Sequence, residues 1–121
     1  MENYILFFYD ASKSSHLKTL AWIQTKSDHV ITHDLMKEPI TPRRLEELAG
    51  QLACTARDMV NETSDLFLQM YTGSELSEND WLKVLSHEHQ MIRLPIAVKN
   101  NKAVFLDQPS DALQFEKLLS S

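Results

Sequence analysis

The sequence has 121 residues, 12 of them Lys or Arg against 17 Asp or Glu, for a formal net charge of −5. That balance lacks the surplus of cations that replaces counterions on a nucleic-acid backbone, so no direct nucleic-acid contact is expected. Hydrophobic residues make up 43% and charged residues 24%, an ordinary globular mixture, and the length suits a single domain with a real core. One cysteine, Cys54, excludes an internal disulfide, a Cys-x-x-Cys redox pair and a multi-cysteine zinc site.

The expected setting is the cytoplasm. No apolar run approaches the ~20 residues that span a bilayer. Met1-Glu2-Asn3 is acidic, so the apolar residues after it do not form a signal-peptide core.

Tyr4 to Tyr9 is a continuous apolar and aromatic run, as in a strand buried on both faces. It ends at the small polar loop Asp10-Ala11-Ser12-Lys13-Ser14-Ser15. A helix is predicted from about Ser14 to Lys26 with a serine as N-cap; Leu17, Leu20, Ala21 and Gln24 follow at helical spacing, with Trp22 and Ile23 beside them. His29 to Asp34 reads as a second strand. Thr41-Pro42 starts the next helix, since Thr caps and Pro at the first position loses no useful N–H. Leu45, Leu48, Ala49 and Leu52 mark its apolar face, and Gly50 is placed near its end.

Residues 55–71 predict two short helices. Ser77-Glu78-Asn79-Asp80 resembles a capping box ahead of a helix that buries Trp81, Leu82, Val84 and Leu85. Leu94 to Val98 is a short strand opened by Pro95. Asn100-Asn101 suits a two-residue turn, because Asn tolerates positive φ. Lys102 to Leu106 is the return strand. Pro109 is expected to start a last helix carrying Ala112, Leu113, Phe115, Leu118 and Leu119. The order β-α-β, several helices, then β-β-α is that of a thioredoxin-like α/β fold with a mixed four-stranded sheet. It is read as one domain over residues 1–121 with a helical insertion at about 41–90.

With these segments in place, the chain resembles the ArsC/Spx family, which holds ArsC-type arsenate reductases and Spx transcriptional regulators. The likeness rests on the order and spacing of four segments: the strand, loop and helix from Tyr4 to Ile23, Asp34 to Thr41, Leu76 to Leu82, and Arg93 to Val98. It implies a cis peptide at Pro95. It also implies a nucleophilic cysteine in the first loop and three arginines that bind an oxyanion. This chain departs from that pattern. Counted from Tyr9, the cysteine position falls on Ser14; counted back from Thr19, it falls on Lys13. The arginine before the proline becomes Leu94, with Arg93 displaced by one, and the other two fall near Asn61 and Gln108.

The chemical consequence is large. A helix N-terminus activates a thiolate, whereas a serine hydroxyl is not ionised comparably and needs an adjacent oriented base. Arsenate reduction also needs sulfur redox chemistry. The expectation is therefore a protein without thiol catalysis and without a cofactor, acting by binding a protein or an anion. The alternative is a thiol oxidoreductase using Cys54, otherwise read as a small buried hydrophobe.

Other residues carry narrower readings. Ser12, Lys13, Ser14, Ser15 and Arg93 form the anion-binding candidate, because N–H groups at a helix start favour anions; plain capping is the ordinary reading. Ser14 or Ser15 with His16 lacks an orienting carboxylate for hydrolase chemistry. His87 and His89 do not share a helix face, and no ligand pattern accompanies them, so no metal is expected. His29 and His33 are read as edge-exposed. Arg43 and Arg44 sit where the helix dipole disfavours cations, which makes them the candidate contact for a protein partner. The Spx likeness points the same way, since Spx meets the α-subunit of RNA polymerase through the region around its first helices.

Overall fold

The computed structural model describes residues 4–108 and 111–120. In chain order the elements are β1 (Ile5–Tyr9), α1 (Ser14–Gln24), β2 (Val30–Asp34), α2 (Pro42–Leu52), α3 (Asp65–Met70), α4 (Glu78–His87), β3 (Ile96–Lys99), β4 (Lys102–Phe105) and α5 (Ala112–Leu119). Single 3-10 turns lie at Arg57–Met59 and His89–Met91. The chain forms two compact units. One comprises the residues up to Glu38 and those from Leu94 onward; the other is Pro39–Arg93, where the sequence places a helical insertion.

The first unit holds a four-stranded sheet in the order β2-β1-β3-β4. β1 pairs in parallel with β2 and antiparallel with β3, and β3 pairs antiparallel with β4. Parallel neighbours need a crossover, and α1 supplies it. Ile5 and Phe7 of β1 pack with Ile23, Ala97, Leu106, Phe115 and Leu118. Each of the large aliphatic and aromatic side chains fully buried there contributes roughly 1.5–3 kcal/mol relative to exposure. Phe8 points to the opposite face and is also buried. The run Tyr4 to Tyr9 therefore shows no alternation, as expected of a central strand. The hairpin turns at Asn100 and Asn101 with φ of 51° and 65°, the left-handed pair that a tight turn requires. β3 begins at Ile96, two residues after the predicted start, and the preceding Leu94–Pro95 bond is cis.

Three expectations for this unit are corrected. α1 is capped by Lys13, with no side-chain cap hydrogen bond, because the Ser12 hydroxyl turns back to Asp10 instead. The helix ends at Gln24, two residues early. Its inward face runs through His16, Leu20 and Ile23, while Leu17 is 46% exposed and Ala21 is exposed. The His16 ring is held inward by a backbone amide, and that rotates the apolar stripe by one position. In α5, Phe115 and Leu118 are buried while Ala112 and Leu113 face outward; Pro109 lies outside the described residues.

In the second unit, serine and threonine caps start each helix. Thr41 Oγ1 accepts from the Arg44 N–H at 3.1 Å, Ser64 Oγ from Phe67 at 3.2 Å, and Ser77 Oγ from Asp80 at 3.1 Å. α2 packs on α4, burying Leu45, Leu48 and Ala49 on one and Trp81, Leu82 and Leu85 on the other. The left-handed residue that ends α2 is Ala53, with φ 57°, and Gly50 lies near that end, as expected. The Arg57 guanidinium sits 5.2 Å from the Phe67 ring centre and 5.3 Å from that of Trp81, and it bonds Glu62. An isolated antiparallel bridge joins Val60 to Ile92.

Candidate functional site

The loop between β1 and α1 is organised by Asp10. Its Oδ1 accepts from the Ser12 N–H at 2.9 Å and from the Ser12 hydroxyl at 2.6 Å. Its carbonyl accepts from the Lys13 N–H at 3.1 Å. Its own N–H donates to His16 Nδ1 at 3.0 Å. Asp34 on β2 accepts from the Ala11 N–H at 3.4 Å. Asp10 and His16 are the buried polar residues here, whereas Ser12, Lys13, Ser14 and Ser15 are exposed.

Lys13 and Ser14, the two positions on which the resemblance would place a cysteine, are thus the N-cap and the first residue of α1. A thiol there would be activated by the helix end. An ammonium or a hydroxyl is not a comparable nucleophile. His16 Nδ1 is occupied by the Asp10 amide, so it does not serve as the base for a serine through that nitrogen. Burial is the main cause that holds the His16 imidazole below its ordinary value of 6.5; the Lys13 charge adds to it and Asp10 opposes.

The role of Asp10 and His16 was not read from the sequence. The available signal was spacing: His16, Leu20 and Ile23 stand at i, i+4 and i+7, which places an imidazole on the buried face of α1.

Arg93 belongs to the second unit, where its guanidinium donates to the Asp58 carbonyl at 3.0 Å and its N–H to the Met59 carbonyl at 2.7 Å. Cys54 follows α2 and is half-buried, its N–H bonded to the Ala49 carbonyl at 3.0 Å. Burial pushes its thiol up from the usual value; Asp58 and Glu78 push the same way, and only Arg93 pulls it down. Asp58 itself is held below the usual carboxylate range by hydrogen bonds from the Thr55 N–H and hydroxyl. The environment of Cys54 is therefore opposite in sign to that of a catalytic thiolate.

Arg43 and Arg44 differ. Arg44 is tied along its own helix to Glu47 at 2.6 Å and Gln51 at 3.5 Å. Arg43 is exposed and lines a shallow groove with Pro42, Glu46, Asn79, Leu82 and Lys83.

Each histidine has its own local setting. His29 is exposed, as expected, but His33 is half-buried and stacks on Phe8 with ring centres 5.0 Å apart. His87 Nδ1 lies 2.8 Å from the Lys83 carbonyl, and His89 Nε2 is buried with no partner among the described residues. Among the described residues no group of three or more His, Cys, Asp or Glu side chains is placed to hold a metal ion, and no helix is long and apolar enough to cross a membrane.

No family model matches the sequence. It is 21% identical over 99 residues to a global transcriptional regulator Spx of Lactiplantibacillus plantarum, covering 81% of this chain and 75% of that one. The structure is similar to an arsenate reductase from Vibrio cholerae, with a TM-score of 0.81, 20% identity, and coverage of 91% of this chain and 95% of that one. It is also similar to an arsenate reductase (ArsC) related protein from Brucella melitensis, with a TM-score of 0.72, 14% identity, and coverage of 95% and 96%. The resemblance to the ArsC/Spx family read from the sequence stands, and the chain has the mixed-sheet, thioredoxin-like fold of ArsC structures.

Proposed function

We propose that this chain, an ArsC/Spx-type fold, has lost thiol catalysis and works by binding another protein. The observation that carries the reading is the start of α1, where Lys13 and Ser14 stand in place of a sulfur nucleophile. The chain's single thiol, Cys54, sits where burial and Asp58 disfavour the thiolate, which speaks against the rival reading of a Cys54 oxidoreductase. Between a protein and a small anion as ligand, the first loop favours the protein. Its Ser12 donors are already spent on the Asp10 carboxylate, and that carboxylate repels a second anion.

The likeness to a transcriptional regulator supports a protein partner. The contact we assign is the start of α2, with Arg43 free of ion pairs among the described residues and Arg44 beside it. Cations at a helix N-terminus oppose the dipole, so an acidic partner would relieve them.

Immobilised protein challenged with the α-subunit of RNA polymerase, and separately with native extract, tests this. Wild type is expected to retain a partner that the double variant Arg43→Glu plus Arg44→Glu loses by at least about tenfold, the scale of a single desolvated charge pair. Equal retention by both would remove the two arginines from the contact. Retention of nothing, together with arsenate turnover, would overturn the binding reading altogether.

A further inference from the structure

We propose that His16 is a proton-operated latch on the loop from Asp10 to Ser15: as neutral imidazole it holds the loop closed through the Asp10 amide, and as imidazolium it releases it. The geometry gives the direction. Asp10 N–H donates to Nδ1 at 3.0 Å in a buried pair, so Nδ1 carries no proton and the neutral ring is protonated at Nε2. Protonation at Nδ1 would set donor against donor, and an unpaired buried amide is costly.

The charged groups acting on the ring are Lys13, at the cap of its own helix, and Asp10, at the end of β1. Asp34 on β2 holds the neighbouring Ala11 amide. Lys13 repels the imidazolium. Asp10 attracts it, and its carboxylate is already shared by the Ser12 N–H and hydroxyl. An imidazolium drawn to that carboxylate competes with both Ser12 bonds. The same proton that frees the Asp10 amide thus loosens the turn that carries Ser12 and Lys13.

The linkage has a fixed sign. The folded value lies below 6.5, so between the folded and unfolded values the unfolded chain binds the extra proton. The stabilisation from neutral His16 is complete above about pH 6.5 and is lost as pH falls through the lower folded value.

Nitrogen-15 NMR tests the latch directly. Ring shifts of His16 are expected to show the Nε2-protonated tautomer at pH 7.5. The hydrogen-exchange protection factor of the Asp10 amide, corrected for intrinsic rate, is expected to fall at least about tenfold as His16 titrates, while that of Leu48 in α2 stays constant. In His16→Asn, whose Oδ1 offers an acceptor that does not titrate, the Asp10 profile is expected to be flat. A proton on Nδ1 at neutral pH, or Asp10 protection in wild type that stays level through the His16 titration, would overturn the proposal, and neither result depends on the variant folding.

Discussion

Ala53 follows α2 at φ 57° and ψ 45°, a conformation in which a Cβ meets the following carbonyl. Glycine takes this conformation freely, so Ala53→Gly is expected to stabilise the chain by roughly 0.5–1 kcal/mol in urea unfolding. A loss of stability would show that the residue is not left-handed. The next residue, Cys54, has its thiol pushed up by burial and by Asp58. Its alkylation by iodoacetamide at pH 8 is therefore expected to be slower than that of a free thiol of pKa ~8.5. Faster alkylation would reverse the sign of its environment. Single residues of these kinds were unevenly legible. The absence of sulfur at Lys13 and Ser14 is plain in the sequence, and so was the asparagine pair at the turn. The left-handed residue was not, because alanine carries no signal for positive φ. The inward His16 was not, because Leu17 beside it offers an apolar residue for the buried face and His16 is read there only as a base for Ser14 or Ser15.

Helix starts were the most legible elements. Thr41 and Ser77 cap where a hydroxyl residue precedes an apolar period, and residues 55–71, where two short helices are predicted, hold one 3-10 turn and the short helix α3. α1 was misplaced in phase because Leu17 and Ala21 offered a second stripe, and packing around the His16 ring chose the other. The Arg57 turn carries a contact no periodicity encodes, since Phe67 and Trp81 come from separate helices. Arg57→Ala is expected to cost about 1–2 kcal/mol, chiefly through the two ring faces. The Glu62 partner is largely exposed, and screened pairs contribute little, so Glu62→Gln should cost less than ~0.5 kcal/mol. Chemical denaturation of both variants decides this. Equal losses would assign the contact to the ion pair and not to the rings.

For the molecule as a whole, the fold was legible and the role only partly so. Element order alone leads to the mixed sheet, because a central apolar strand, a crossover helix and an asparagine-turned hairpin leave few topologies. The proposed function rests on the residues at one helix start, Lys13 and Ser14, and these name no partner. The central claim is that no thiol chemistry operates in this chain, neither at Lys13 and Ser14 nor through Cys54. Arsenate reduction, followed with glutathione and glutaredoxin as electron source for wild type and Cys54→Ala, decides the matter. Background rates are expected for both proteins. Turnover by wild type above background, whether lost or kept in Cys54→Ala, would contradict it.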